Sequence, residues 1–129
     1  MHLKELAMSE SDRRFQRYNV SAGSFSNQRV KVEGFLGSLK GWGGCKVKDM
    51  SEAGALVLTK RMLSMGDTVI IEMTPRGGAP MNFRGEVVNI GTEHVSGWAK
   101  LGVRLITPGQ GSREMTFLET LGDHYKISA

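Results

Sequence analysis

Cysteine occurs once in the 129 residues, at Cys45, and histidine three times, at His2, His94 and His124. A single thiol excludes an intrachain disulfide and suits a reducing compartment, so a cytoplasmic location is expected. No CxxC, HExxH or other Cys/His cluster is present, and no metal site is expected. Apolar runs stay far short of the roughly 18 residues that cross a bilayer. The opening "MHLKELAMSES" lacks the apolar core of a signal peptide. There is no GxxxxGK(S/T) phosphate loop, no GxGxxG between a strand and a helix, and no GxSxG elbow. These absences argue against an enzyme, so neither a catalytic residue nor a cofactor is assigned. His94 reads as a polar turn residue and Cys45 as a small hydrophobe on a strand. Aromatics make up 7% of the chain and are scattered. They form no ladder interleaved with basic residues of the kind that binds single-stranded nucleic acid.

What is present is an ordinary globular composition, 40% hydrophobic and 23% charged, of a length that supports one domain. The formal charge of +4 favours anionic partners, mildly, because 13 acidic residues stand among 17 basic ones. Residues 1–12 are polar, with Leu3, Leu6 and Ala7 spaced for a turn or two of helix, and are expected to form a flexible segment. From about Val20 glycine becomes frequent and period-two alternation appears, the mark of half-buried strands.

"RVKVEGF" (29–35) and "CKVKD" (45–49) read as a hairpin around the glycine-rich "GSLKGWGG". "GALVLTK" (54–60) and "DTVIIEM" (67–73) follow. "NFRGEVVNI" (82–90) returns antiparallel after the breaker "PRGGAP", and "WAKLGVRL" (98–105) alternates most cleanly. Six short strands with turn signals between them predict an all-β domain, a small antiparallel barrel. "SREMTFLETLG" (112–122) predicts a closing helix with Ser112 as N-cap and Gly122 as stop, its stripe of Met115, Leu118 and Leu121 lying over a barrel end. The domain is expected over 13–122, with a tail at 123–129.

Two polar clusters remain. "SDRRFQRY" holds Arg13, Arg14 and Arg17, and "KDMSEAGA" holds Asp49, Ser51 and Gly54. Fixed guanidiniums suit a solvated face, a nucleic-acid patch or a clamp on one anion. Asp49 and Ser51, two apart at a strand end, could meet the edge of a polar heterocycle, with Gly54 allowing close approach. Alternatively they form a Ser or Asx turn capped by glycine.

Taken together, R-x-x-x-R (Arg13, Arg17) followed by D-x-S-x-x-G (Asp49, Ser51, Gly54) on a six-stranded barrel resembles the PilZ domain family of bacterial cyclic di-GMP receptors. The resemblance runs from about Asp12 to Leu121. It includes "GALVL", "GDTVIIEM" and "LGVRL", where Leu105 replaces the family's usual aromatic. The interval from Arg17 to Asp49 is somewhat long, and the 37–44 loop absorbs the excess.

The resemblance implies a PilZ-type split barrel with a flexible N-terminal arm. Arg13 and Arg17 would grip phosphate and guanine, Asp49 and Ser51 the guanine edge, and Gly54 would leave room. Arg14 either assists or is solvated. Lys48 and Trp98 are secondary candidates, Trp98 also fitting rim packing. The arm, residues 10–18, is expected to be mobile until ligand orders it, with the signal passing to a partner protein. Exposed apolar surface on the closing helix is one place for that partner. Asp12, negatively charged beside the motif, favours one dinucleotide per chain. The alternatives are a nucleic-acid-binding barrel and a ligand-free interaction module.

Overall fold

The computed structural model describes residues 15–34, 39–93 and 97–128. Among the described residues seven strands form: β1 (Tyr18–Asn19), β2 (Phe25–Val32), β3 (Gly43–Met50), β4 (Gly54–Thr59), β5 (Thr68–Pro75), β6 (Met81–Thr92) and β7 (Ala99–Leu105). The ring β3-β2-β5-β6-β7-β4 closes because β4 pairs back onto β3, and every pairing is antiparallel. The predicted six-stranded barrel is therefore present, with closure leaving few exposed edges. β1 is an addition, paired outside the ring with Asp49 and Met50 of β3.

Period-two alternation builds the core. On β5, Val69, Ile71 and Met73 are fully buried, and on β7 Leu101, Val103 and Leu105 point inward. Leu105, where the resemblance implies an aromatic, is a core residue. The β5–β6 hairpin turns at Pro75–Gly78, where Gly78 N–H donates to the Pro75 carbonyl and Gly77 takes φ +73°. A turn with positive φ at its third residue favours glycine there. Gly85 allows β6 and β7 to approach, since a Cβ there would lie 2.6 Å from both the Arg104 carbonyl oxygen and Val103 Cγ1.

Two details depart from the expectation. β2 starts at Phe25 rather than Arg29, because "FSNQ" hides its strand character behind an irregularity between Phe25 and Asn27. The closing helix is two pieces, α1 (Arg113–Glu119) and α2 (Leu121–His124). Ser112 does cap α1, its hydroxyl accepting from Met115 N–H at 3.1 Å. Gly122, however, is not the stop: α1 breaks at Thr120, and Gly122 lies within α2. Glycine eases packing there, because a Cβ would lie 3.1 Å from the Tyr18 hydroxyl and 3.2 Å from two atoms of its ring.

Leu118 and Leu121 complete the core beneath this end of the barrel. Phe117 joins them, its ring 6.1 Å from Phe25, 5.9 Å from Phe83 and 6.3 Å from Tyr125. Four of the chain's aromatics are thus spent on core packing at one pole. Among the described residues no helix is long and apolar enough to cross a membrane.

Candidate functional site

The second polar cluster owes its position to an irregularity in β3. Cys45 and Val47 face the core, so strict alternation would send Asp49 inward with them. The register shows otherwise. Val47 pairs with Val57, Asp49 with Leu56 and Met50 with Ala55, which makes Lys48 the extra residue of a β-bulge. The bulge resets the phase: fully buried Met50 takes the inward place. Asp49 turns to the outer wall, its side chain 12% exposed beneath an arginine.

That arginine is Arg17. Its Nη1 donates to Asp49 Oδ1 at 2.6 Å. The side chain is 48% exposed, and a contact through one of its five donors leaves an open face for an anion. The backbone beneath it is held from two sides. Tyr18 and Asn19 pair with Met50 and Asp49 of β3. On the other side the C-terminal tail adds a short antiparallel stretch. Ser128 N–H donates to the Arg17 carbonyl at 2.9 Å, and Asn19 N–H donates to Lys126 at 2.8 Å. Tyr18 bridges Ile127 there. Of the segment expected to be mobile, residues 10–18, only Phe15 onward is described, and from Arg17 its backbone is paired with β3 and the C-terminal tail.

Ser51 follows β3 directly and is 2% exposed. Its hydroxyl accepts from the N–H groups of Ala53 and Gly54, both at 3.1 Å, while Ser51 N–H donates to the Gly54 carbonyl at 2.8 Å. This is the Ser-turn geometry, and it fixes the β3–β4 connection. Gly54, at its exit, is the floor of the site. A Cβ there would come within 3.1 Å of the Val103 carbonyl oxygen and 3.3 Å of Arg17 Nη2. Four of the five expected site residues, Arg17, Asp49, Ser51 and Gly54, therefore converge on one patch of barrel wall. The fifth, Arg13, lies outside the described residues, as do Asp12, Arg14 and His94.

The secondary candidates Lys48 and Trp98 meet elsewhere. They line a hollow of about 250 Å³ with Lys46, Leu58 and Glu93. Lys48 Nζ lies 3.7 Å from Glu93 Oε2, and Lys60 Nζ sits 5.5 Å over the Trp98 ring. Trp98 is half-buried in this arrangement, a rim position with one face engaged by a cation.

Sequence reasoning missed Tyr18, the Lys126–Ser128 tail and the Val103 carbonyl as parts of the site. The aromatic next to Arg17 was a signal for the first. Nothing in the local sequence announces a tail that pairs with residues more than a hundred positions away. Cys45 is no part of this chemistry: burial pushes its thiol from 9.0 up to about 12, so it stays protonated and unreactive.

A family model described as PilZ domain matches residues 11–119, a span that includes both polar clusters. No curated protein matches the chain.

Proposed function

The chain belongs to the PilZ domain family of cyclic di-GMP-binding modules, and on that premise we propose that it is itself a cyclic di-GMP receptor using Arg13, Arg17, Asp49, Ser51 and Gly54. The observation that carries this reading is the 2.6 Å contact from Arg17 to Asp49 above Gly54. It joins two motifs 32 residues apart into one patch, a half-exposed guanidinium over a largely buried carboxylate.

The chemistry of that patch matches the ligand. Cyclic di-GMP carries two phosphodiesters and two guanines. A guanidinium can bond phosphate oxygens or guanine O6 and N7 bidentately and can also stack on the base. A carboxylate accepts from the N–H groups of the guanine edge. Asp49 holds Arg17 in place until ligand arrives, so the guanidinium starts near its working position. When the base approaches, Asp49 exchanges part of its contact with Arg17 for the guanine edge. Ser51 acts chiefly through the turn it fixes, since its oxygen already accepts two N–H groups. Gly54 keeps the wall low enough for both partners. Arg13 closes on the ligand from the arm, Arg14 assists at phosphate, and the ordered arm passes the signal to a protein partner.

Calorimetry with cyclic di-GMP tests the reading. Charge-assisted hydrogen bonds contribute roughly 1.5–3 kcal/mol each, so Arg17→Ala should weaken binding by about tenfold or more. Because Arg17 is half exposed the barrel should stay folded, the thermal midpoint falling modestly as the largely buried Asp49 loses this partner. Unchanged affinity in Arg17→Ala, or no heat from the unmodified protein at millimolar dinucleotide, overturns it. Salt-dependent affinity for generic oligonucleotides that free dinucleotide cannot compete away would favour a nucleic-acid-binding barrel instead.

A further inference from the structure

Neither closing helix presents a large exposed apolar residue; the two most exposed in the described chain, Met62 and Leu39, lie at the opposite end of the barrel. A groove of about 450 Å³ opens there between the β4–β5 loop and the adjoining ends of β6 and β7, lined by Met62, Leu63, Ile90 and Trp98. Met62 is 87% exposed and Ile90 38%. Lys60 and Arg61 stand at its margin. Arg61 is fixed by hydrogen bonds from Nη2 to the carbonyls of Lys40 (2.6 Å) and Gly41 (2.9 Å), neutral partners, and forms no ion pair among the described residues. The adjoining hollow shares Glu93 and Trp98 with the groove and adds Lys46 and Lys48. Of these charges, only Glu93 is negative, and it already faces Lys48.

We propose that this groove is a docking site for an acidic amphipathic segment of another protein. Its concavity suits a protruding side chain, whereas a bilayer surface would leave the floor unfilled. Exposed Met62 and half-buried Leu63 adapt to varied apolar anchors, and the surrounding cations select carboxylates and steer encounter. None of the groove's lining residues belongs to the Arg17–Asp49 pair, although Trp98, a secondary nucleotide candidate, lines it.

The test is selection of a displayed library of twelve-residue peptides on the full chain. Enriched peptides are then titrated against the unmodified protein and against Met62→Glu, Lys60→Glu and Arg17→Ala. Enriched sequences should combine Leu, Phe or Met with Asp or Glu. They should bind Met62→Glu and Lys60→Glu at least about tenfold more weakly, with unchanged thermal midpoints, and Arg17→Ala equally well. The proposal fails if no peptide or only basic peptides are enriched, if binding ignores Met62→Glu, or if it is lost with Arg17→Ala. Met62-dependent self-association without peptide binding also overturns it, as does binding to phosphatidylglycerol vesicles without peptide binding.

Discussion

Arg17 and Gly54 form a unit at the scale of single residues. The glycine has no turn conformation to supply, since its φ is not positive. Its requirement is space, between the Val103 carbonyl below and Arg17 Nη2 above. An added methyl must displace one of them, and the paired β7 backbone yields less readily than a half-exposed side chain. Gly54→Ala should therefore weaken cyclic di-GMP binding by about tenfold while costing roughly 1–2 kcal/mol of stability. Combined with Arg17→Ala it should add little further loss of affinity, because both changes remove the same seat. Calorimetry and thermal denaturation of the two single variants and the double variant check this. Additive losses would show that Gly54 acts through something other than Arg17.

At the scale of elements, the site depends on one extra residue in β3 and on a tail that pairs with β1. The bulge at Lys48 could not be fixed from "CKVKDM" alone: period two breaks at Asp49 and Met50, but that break reads equally as the end of the strand. Only the partner strand shows that Val47 and Met50, three apart, both face inward. The tail is as inaccessible to local reading. Its contacts, Ser128 to Arg17 and Asn19 to Lys126, hold the backbone from which Arg17 projects. Ser128→Pro removes the first donor without altering any ligand contact. Amide exchange at Asn19 should accelerate in that variant, and dinucleotide affinity should fall several-fold as Arg17 loses its support. Exchange that stays as slow as in the unmodified protein would show that β3 pairing alone suffices. Gly122 carries the same lesson for the helix: its place against Tyr18, a tertiary contact, decides its role where a sequence pattern suggested a stop.

The whole molecule enters through closure of the barrel, which buries Cys45 on β3 and raises its thiol to about 12. In the unfolded chain that thiol titrates near 9.0. Between these values the unfolded state binds fewer protons than the folded state, so stability falls as pH rises. Between pH 9 and 10.5 the loss attributable to Cys45 should be about 1–2 kcal/mol. Denaturant titrations of the unmodified protein and of Cys45→Ala at both pH values isolate it, since lysine and tyrosine titration is common to both. An identical decline in the two proteins would mean that the thiol is less enclosed than the barrel implies. The same closure sets the two poles apart, with aromatic packing beneath the helices at one and the apolar, basic groove at the other.

The sequence by itself determined the barrel, because period two, glycine-rich turns and a capped closing helix are local signals that each strand carries independently. It also pointed, through the family that its two motifs together resemble, to residues that could serve an anionic ligand, whereas each motif alone reads equally as a solvated face or a turn. Tertiary structure alone decided where they go. A bulge's phase, a distant tail and the clearance above Gly54 depend on neighbours remote along the chain, and no window of residues encodes a neighbour it does not contain.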